Sequence, residues 1–141
     1  MKNYTIETAT KQDLNLIEQG LVQYNLSKVP LAQRKPFIPV NRVLKDSEGY
    51  IIAGINSRLY CWNCCYIDIL WVREGYRNQR YGSILLKKVE MLIKQNGGYI
   101  IHLDTFDFQA KNFYIKHGYK IFGVLEDVPP GHKRYYMSKK L

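Results

Sequence analysis

The stretch from Cys65 to Asp104 constrains this chain more than any other. Cys65-Tyr-Ile-Asp-Ile-Leu-Trp-Val72 is a β-branched and aromatic run with a single charge, the pattern of a strand buried on both faces. It breaks into the basic, glycine-bearing turn Arg73-Glu-Gly-Tyr-Arg-Asn-Gln-Arg-Tyr-Gly-Ser83. An amphipathic helix follows, with Leu85, Leu86, Val89, Leu92 and Ile93 on one side, Lys87, Lys88, Glu90, Lys94 and Gln95 on the other, and Gly97-Gly98 as its stop. Tyr99-Ile-Ile-His-Leu-Asp104 is then a second strand, so the unit is a βαβ crossover with parallel strands and a right-handed connection. A helix start presents unpartnered N–H groups and a partial positive charge, and Arg77 and Arg80 add to it, while Gly82 admits a ligand close to the main chain. The junction reads as an anion site. A solvated basic turn has the same composition.

A second segment follows in order: Asp107-Phe-Gln-Ala-Lys-Asn-Phe-Tyr-Ile-Lys-His-Gly-Tyr119. Arg77-Asn-Gln-Arg-Tyr-Gly82 resembles the acyl-CoA pyrophosphate loop of the GNAT acetyltransferases, Gln/Arg-x-x-Gly-x-Gly/Ala, with Arg80 where the first glycine usually stands. The later segment is similar to that family's Asn-x-x-Ala-x-x-Phe/Leu-Tyr-x-x-x-Gly-Phe, with Asp107 replacing the asparagine and Ala110, Phe113, Tyr114, Gly118 and Tyr119 at matching positions. Together the two motifs cover the C-terminal half.

The resemblance implies an α+β three-layer fold: a mixed, centrally splayed sheet with helices on both faces. It implies acetyl-CoA as cosubstrate and an amine as acceptor, joined by direct attack. Arg77, Asn78, Gln79, Arg80, Tyr81, Gly82 and Ser83 would hold the pyrophosphate. The backbone of Leu70, Trp71 and Val72 would bond the pantetheine amides, and Asp107, Ala110, Phe113 and Tyr114 would border the cofactor. Tyr114 stands where the family places the proton donor to the leaving thiolate, although Ala110, Phe113, Tyr114 and His117 also form a helical stripe that packing alone explains. Asp68 is the only charge in its strand and the candidate base, placed by alternation on the face of Tyr66 and Leu70. His102, Asp104 and water are alternatives; His117 and His132 read as a helix-end and a loop histidine. In the family the segment after the first helix shapes the acceptor pocket, which makes Tyr24, Asn25, Arg34 and Phe37 candidates here.

The rest of the chain fits one domain over residues 1–141. Tyr4–Thr8 alternates as a first strand, and Thr10-Lys-Gln-Asp13 opens a helix ending before Pro30. Pro30 to Pro39 reads as a loop. Asn41–Lys45 and Tyr50–Ile55 form strands around the turn Asp46-Ser-Glu-Gly49, with Ala53-Gly54 suggesting a bulge. Tyr119–Val124 and Arg134–Ser138 close the order β α β β β α β α β β. Cys61, Cys64 and Cys65 lack the second pair or nearby histidine of a zinc site, and their odd number argues against a disulfide framework. They read as buried or half-buried thiols.

No apolar run approaches the ~20 residues of a membrane helix, and no signal-peptide core follows Met1, so a cytoplasmic protein is expected. The net charge of +9 permits a polyanionic cofactor. It also admits a nucleic-acid-binding domain, but the cations are spread along the chain and the best anion site lies at one helix start. A CoA-binding protein without catalysis is the other rival, against which Tyr114 speaks. A homodimer through the C-terminal strands is the expected assembly.

Overall fold

The computed structural model describes residues 2–141. The chain divides into two compact units, Met1–Leu31 and Ala32–Leu141. In the first, helix α1 spans Lys11–Lys28. Its start is set by a capping box: the Thr10 hydroxyl accepts the Asp13 N–H at 3.1 Å and the Asp13 carboxylate accepts the Thr10 N–H at 2.8 Å. Val29 ends it, its N–H donating to the Asn25 carbonyl. Residues 2–10 contain no strand, contrary to the reading of Tyr4–Thr8. Alternation makes a strand only where a neighbouring backbone takes up its hydrogen bonds.

The second unit holds strands β1 (Phe37–Pro39), β2 (Arg42–Lys45), β3 (Ile51–Tyr60), β4 (Cys64–Val72), β5 (Ile100–Phe106), β6 (Lys120–Glu126) and β7 (Lys133–Lys140), with helices α2 (Tyr81–Gln95) and α3 (Lys111–Lys116). They form one open mixed sheet in the order β1-β3-β4-β5-β7-β6, with β2 also paired to β3. Strand β1 lies where a loop is expected from the prolines. Pro36 precedes and Pro39 ends an edge segment too short to need a full ladder, and Phe37 pairs with Tyr60.

The crossover is as the pattern requires: β4 and β5 are parallel. Leu85, Leu86, Val89 and Ile93 of α2 meet Ala53, Ile55 and Leu59 of β3, Cys65 and Ile67 of β4, Ile101 and Leu103 of β5, and Met137 of β7. Tyr114 and Tyr119 close the same cluster, so α2 and α3 cover one face of the sheet. Each such aliphatic side chain gains about 1.5–3 kcal/mol on burial. That gain carries Glu90 into the interface, against the expectation of a solvated side. There its carboxylate lies 2.6 Å from Lys139 Nζ of β7.

Two irregularities matter for the site. Between β2 and β3 the register passes from Leu44↔Ala53 to Lys45↔Ile51, leaving Ile52 unpaired; the bulge is beside Ala53-Gly54 rather than at it. Between β3 and β4 it passes from Asn56↔Ile69 to Ser57↔Ile67, so Asp68 is the extra residue of a bulge in β4. This resets the alternation. Leu70 and Val72 pack toward the core, so Leu70 does not share the face of Tyr66.

Candidate active site

Strands β4 and β5 pair over only Cys64↔Ile100, Cys65↔Ile101 and Tyr66↔His102, then separate. Beyond that point a cleft of about 740 Å³ opens, lined along β4 by Ile67 to Val72 and on the other side by Asp104 and Thr105. Backbone groups of β4 that face away from β3 have no strand partner there. The start of α2 contributes Arg77, Asn78 and Gly82, and the segment leading into α3 contributes Asp107 to Tyr114.

The loop explains its own sequence. Arg77 Nε donates to the Val72 carbonyl at 3.0 Å, tying the guanidinium to the end of β4, and Gln79 Nε2 donates to the Gly75 carbonyl at 3.0 Å. Asn78 and Arg80 take φ of +60° and +70°, the left-handed region where a Cβ is strained. Arg80 is the N-cap of α2 without a side-chain cap bond, so the position that resembles the family's glycine has the backbone conformation glycine favours. A Cβ on Gly82 would touch Phe113 and Val72 at 3.5 Å, which shows how closely the helix start approaches α3. Ser83 Oγ meets His117 Nε2 at 2.9 Å, joining the same two elements.

Of the residues read as cofactor-binding, Leu70, Trp71, Val72, Arg77, Asn78, Gly82, Asp107, Ala110, Phe113 and Tyr114 line the cleft. Gln79, Arg80, Tyr81 and Ser83 do not; Tyr81 stacks edge-on to Tyr76 at 6.1 Å. Asp107 spans two roles. Its carboxylate accepts His132 Nδ1–H at 2.9 Å and the Lys133 N–H at 3.0 Å. Desolvation opposes its charge, but these bonds prevail and hold the carboxyl below its usual range.

Tyr114 is buried, its ring edge-on to Phe113 at 5.2 Å and Tyr119 at 5.5 Å. Burial, and then the charge of Asp104, push its phenol up to about 12. The hydroxyl therefore keeps its proton across the physiological range. Asp104 itself is occupied: it accepts Tyr66 O–H at 2.8 Å and two donors of Arg134 at 2.6 and 2.9 Å. His102 lies next to it with Nε2 2.7 Å from the Tyr60 hydroxyl, and burial lowers its pKa. Neither alternative base is a free group. Asp68 is exposed, makes no hydrogen bond or ion pair among the described residues, and borders the cleft at the bulge.

Tyr24 and Asn25 lie in the last turns of α1, with Lys28 Nζ 5.5 Å from the Tyr24 ring. Phe37 is in β1, its ring 5.9 Å from the Arg58 guanidinium, and Arg34 is exposed in the preceding loop. A second, smaller cavity of about 250 Å³ opens among β3 and β4 and the chain before β2, with Asn41, Asn56, Arg58, Tyr66 and Asp68 in its wall. Apart from Asp68, sequence reading did not find these residues. The available signal was Arg58, a lone cation between buried Ser57 and Leu59 in an apolar strand.

Cys61, Cys64 and Cys65 are free thiols, the first and last buried. No cluster of metal-ligating side chains occurs among the described residues, and no helix there is long and apolar enough to cross a membrane.

Known proteins give the same picture. A crystallised acetyltransferase from Bacillus cereus ATCC 14579 is 39% identical to this chain, with a TM-score of 0.88 over 98% of both chains. A blasticidin-S acetyltransferase of Streptomyces morookaense is 28% identical over 117 residues, 82% of this chain and 85% of that protein. An aminoglycoside 6'-N-acetyltransferase crystallised with coenzyme A shares the fold, with a TM-score of 0.64 at 18% identity over 93% of this chain and 81% of the other. Residues 7–119 match the model of the acetyltransferase (GNAT) family, and a match over that much of the chain means that the chain belongs to the GNAT family of acetyltransferases.

Proposed function

We propose that this chain transfers an acetyl group from acetyl-CoA to a primary amine of a small molecule or peptide, by direct attack of the amine on the thioester. The observation that carries this reading is the cleft between the separated strands, with the basic loop and the start of α2 at one end and a buried tyrosine, its phenol pushed up to about 12, in its wall.

The donor set suits acetyl-CoA. Arg77 and the N–H groups at the start of α2 meet a pyrophosphate, and those backbone groups of Leu70 to Val72 that face away from β3 meet an extended chain of amides. The same backbone N–H groups polarise the thioester carbonyl as negative charge develops on its oxygen. The acceptor nitrogen attacks the carbonyl carbon, the C–S bond breaks, and the thiolate takes the Tyr114 proton. The nitrogen loses its proton to Asp68 or to water. Holding both reactants in one cleft is worth up to ~7–11 kcal/mol of barrier where alignment is close, so no covalent cysteine relay is needed, and Cys65 is buried with its thiol pushed up to about 12.

The test is thiol release. Purified protein with acetyl-CoA and a panel of primary amines should liberate free thiol above the amine-free background. A protein that binds CoA in calorimetry yet releases none with any amine would be a binder rather than an enzyme.

A further inference from the structure

The small cavity beside the bulge holds two opposite charges that pair with no other side chain among the described residues. Arg58 is held between two rings, 5.9 Å from Phe37 and 5.8 Å from Tyr66, but its guanidinium has no hydrogen bond or ion pair among the described residues. Asp68 stands in the same wall, equally unpaired. The two are on adjacent strands: Arg58 faces Tyr66 across the ladder, and Asp68 follows two residues later as the bulge residue. Opposite charges in one wall of a protein surface ordinarily join or are left to water. Here the aromatic rings fix one partner and the bulge re-aims the other.

Two further facts give the cavity a direction. Asp68 lines both this cavity and the cofactor cleft, so the two share a wall. Asn41 has its side-chain oxygen committed to the Ser57 N–H at 2.9 Å, which turns its amide nitrogen into a donor fixed in place. The wall of the cavity therefore carries donors and a positive charge, and its negative member, Asp68, is the one it shares with the cleft.

We propose that this cavity is the acceptor subsite and that it takes an amine carrying a carboxylate. The ammonium end lies at Asp68, where it loses a proton before attack; the carboxylate lies against Arg58 and Asn41. This rests on the reading of the protein as an amine acetyltransferase. It goes further by naming the acceptor's second functional group. Arg58 is then a specificity-determining residue whose planar fork matches a carboxylate in a way a lysine would not.

The experiment compares ω-amino acids, β-alanine to 6-aminohexanoate, with the alkylamines of the same chain length lacking the carboxylate. Thiol release from acetyl-CoA should favour the best amino acid over its alkylamine by about 10- to 100-fold in kcat/KM, the worth of one charged hydrogen bond. Arg58→Gln should erase that preference, bringing the two series to the same value. Calorimetric titration of the CoA-loaded protein with the same amino acid supplies a readout independent of turnover: saturable binding in the wild type should weaken at least tenfold in Arg58→Gln. Binding that depends on Arg58 without thiol release would retain the subsite while removing the transfer reading. Equal use of amino acid and alkylamine, equal affinity in wild type and variant, or no binding of any ω-amino acid would overturn the proposal.

Discussion

At the scale of single residues, the two most informative positions are those where the local environment contradicts the side chain's ordinary state. Arg80 sits at φ +70° and does not line the cleft. Left-handed backbone costs a residue with a Cβ about 1–2 kcal/mol, and the extra freedom of glycine in the unfolded chain returns part of any gain. Arg80→Gly should therefore stabilise the fold by up to about 1 kcal/mol in chemical denaturation, and acetyl-CoA affinity should change less than in Arg77→Gln. A destabilised variant would mean that the guanidinium makes contacts worth more than the strain. Tyr114 is the converse case, a phenol whose proton the fold retains. Tyr114→Phe keeps the ring contacts with Phe113 and Tyr119 and removes only the hydroxyl. Turnover should fall by ~10²–10⁴-fold, the usual worth of a general acid, with acetyl-CoA affinity near wild type. Full activity in the phenylalanine variant would return proton donation to water.

Elements were legible where one physical signal dominates. The apolar stripe of α2, the parallel strands beside it and the capping box of α1 follow directly from periodicity and local hydrogen bonding. The failures have equally local causes. A bulge changes no residue type, so the reset at Asp68 that turns Leu70 inward leaves no mark on the alternation before it. Glu90 looks like a solvated position until Lys139, 49 residues later, lies beside it. Most residues of the large cleft's wall could be named from sequence because they lie in contiguous motifs. The cavity holding Arg58 and Asn41 could not, because strand pairing assembles it from separated segments. Gly98, read only as part of a helix stop, has a stricter role: a Cβ there would clash with Ile93 Cγ2 and fall 2.9 Å from the Ile93 carbonyl oxygen. Gly98→Ala should destabilise by about 1–3 kcal/mol, as overpacking does. A loss under about 0.5 kcal/mol in urea would show that the turn relaxes freely.

Across the whole molecule, the buried hydroxyls and thiol set a common limit at high pH. Burial pushes Tyr60, Tyr66, Tyr114 and Cys65 each up to about 12. A raised folded value means that the protonated form is favoured in the native state. The associated stability is complete below the unfolded values, near 9 for the thiol and 10 for the phenols, and is lost as pH rises toward 12. Thermal unfolding followed by circular dichroism should show Tm falling steeply above about pH 10; a flat profile to pH 11 would argue that these groups are solvated. The short pairing between β4 and β5 has a different consequence. With only three residue pairs joining them, the sheet is two half-sheets with a slot between, and acetyl-CoA bound along β4 as proposed would act as the strand that the chain itself does not supply. Alternate backbone amides from Ile67 to Val72 should then exchange with deuterium quickly in the free protein and slow markedly with acetyl-CoA bound, while amides of β3 change little. Cofactor would thus be a part of the sheet's own hydrogen bonding, present only while the enzyme is loaded.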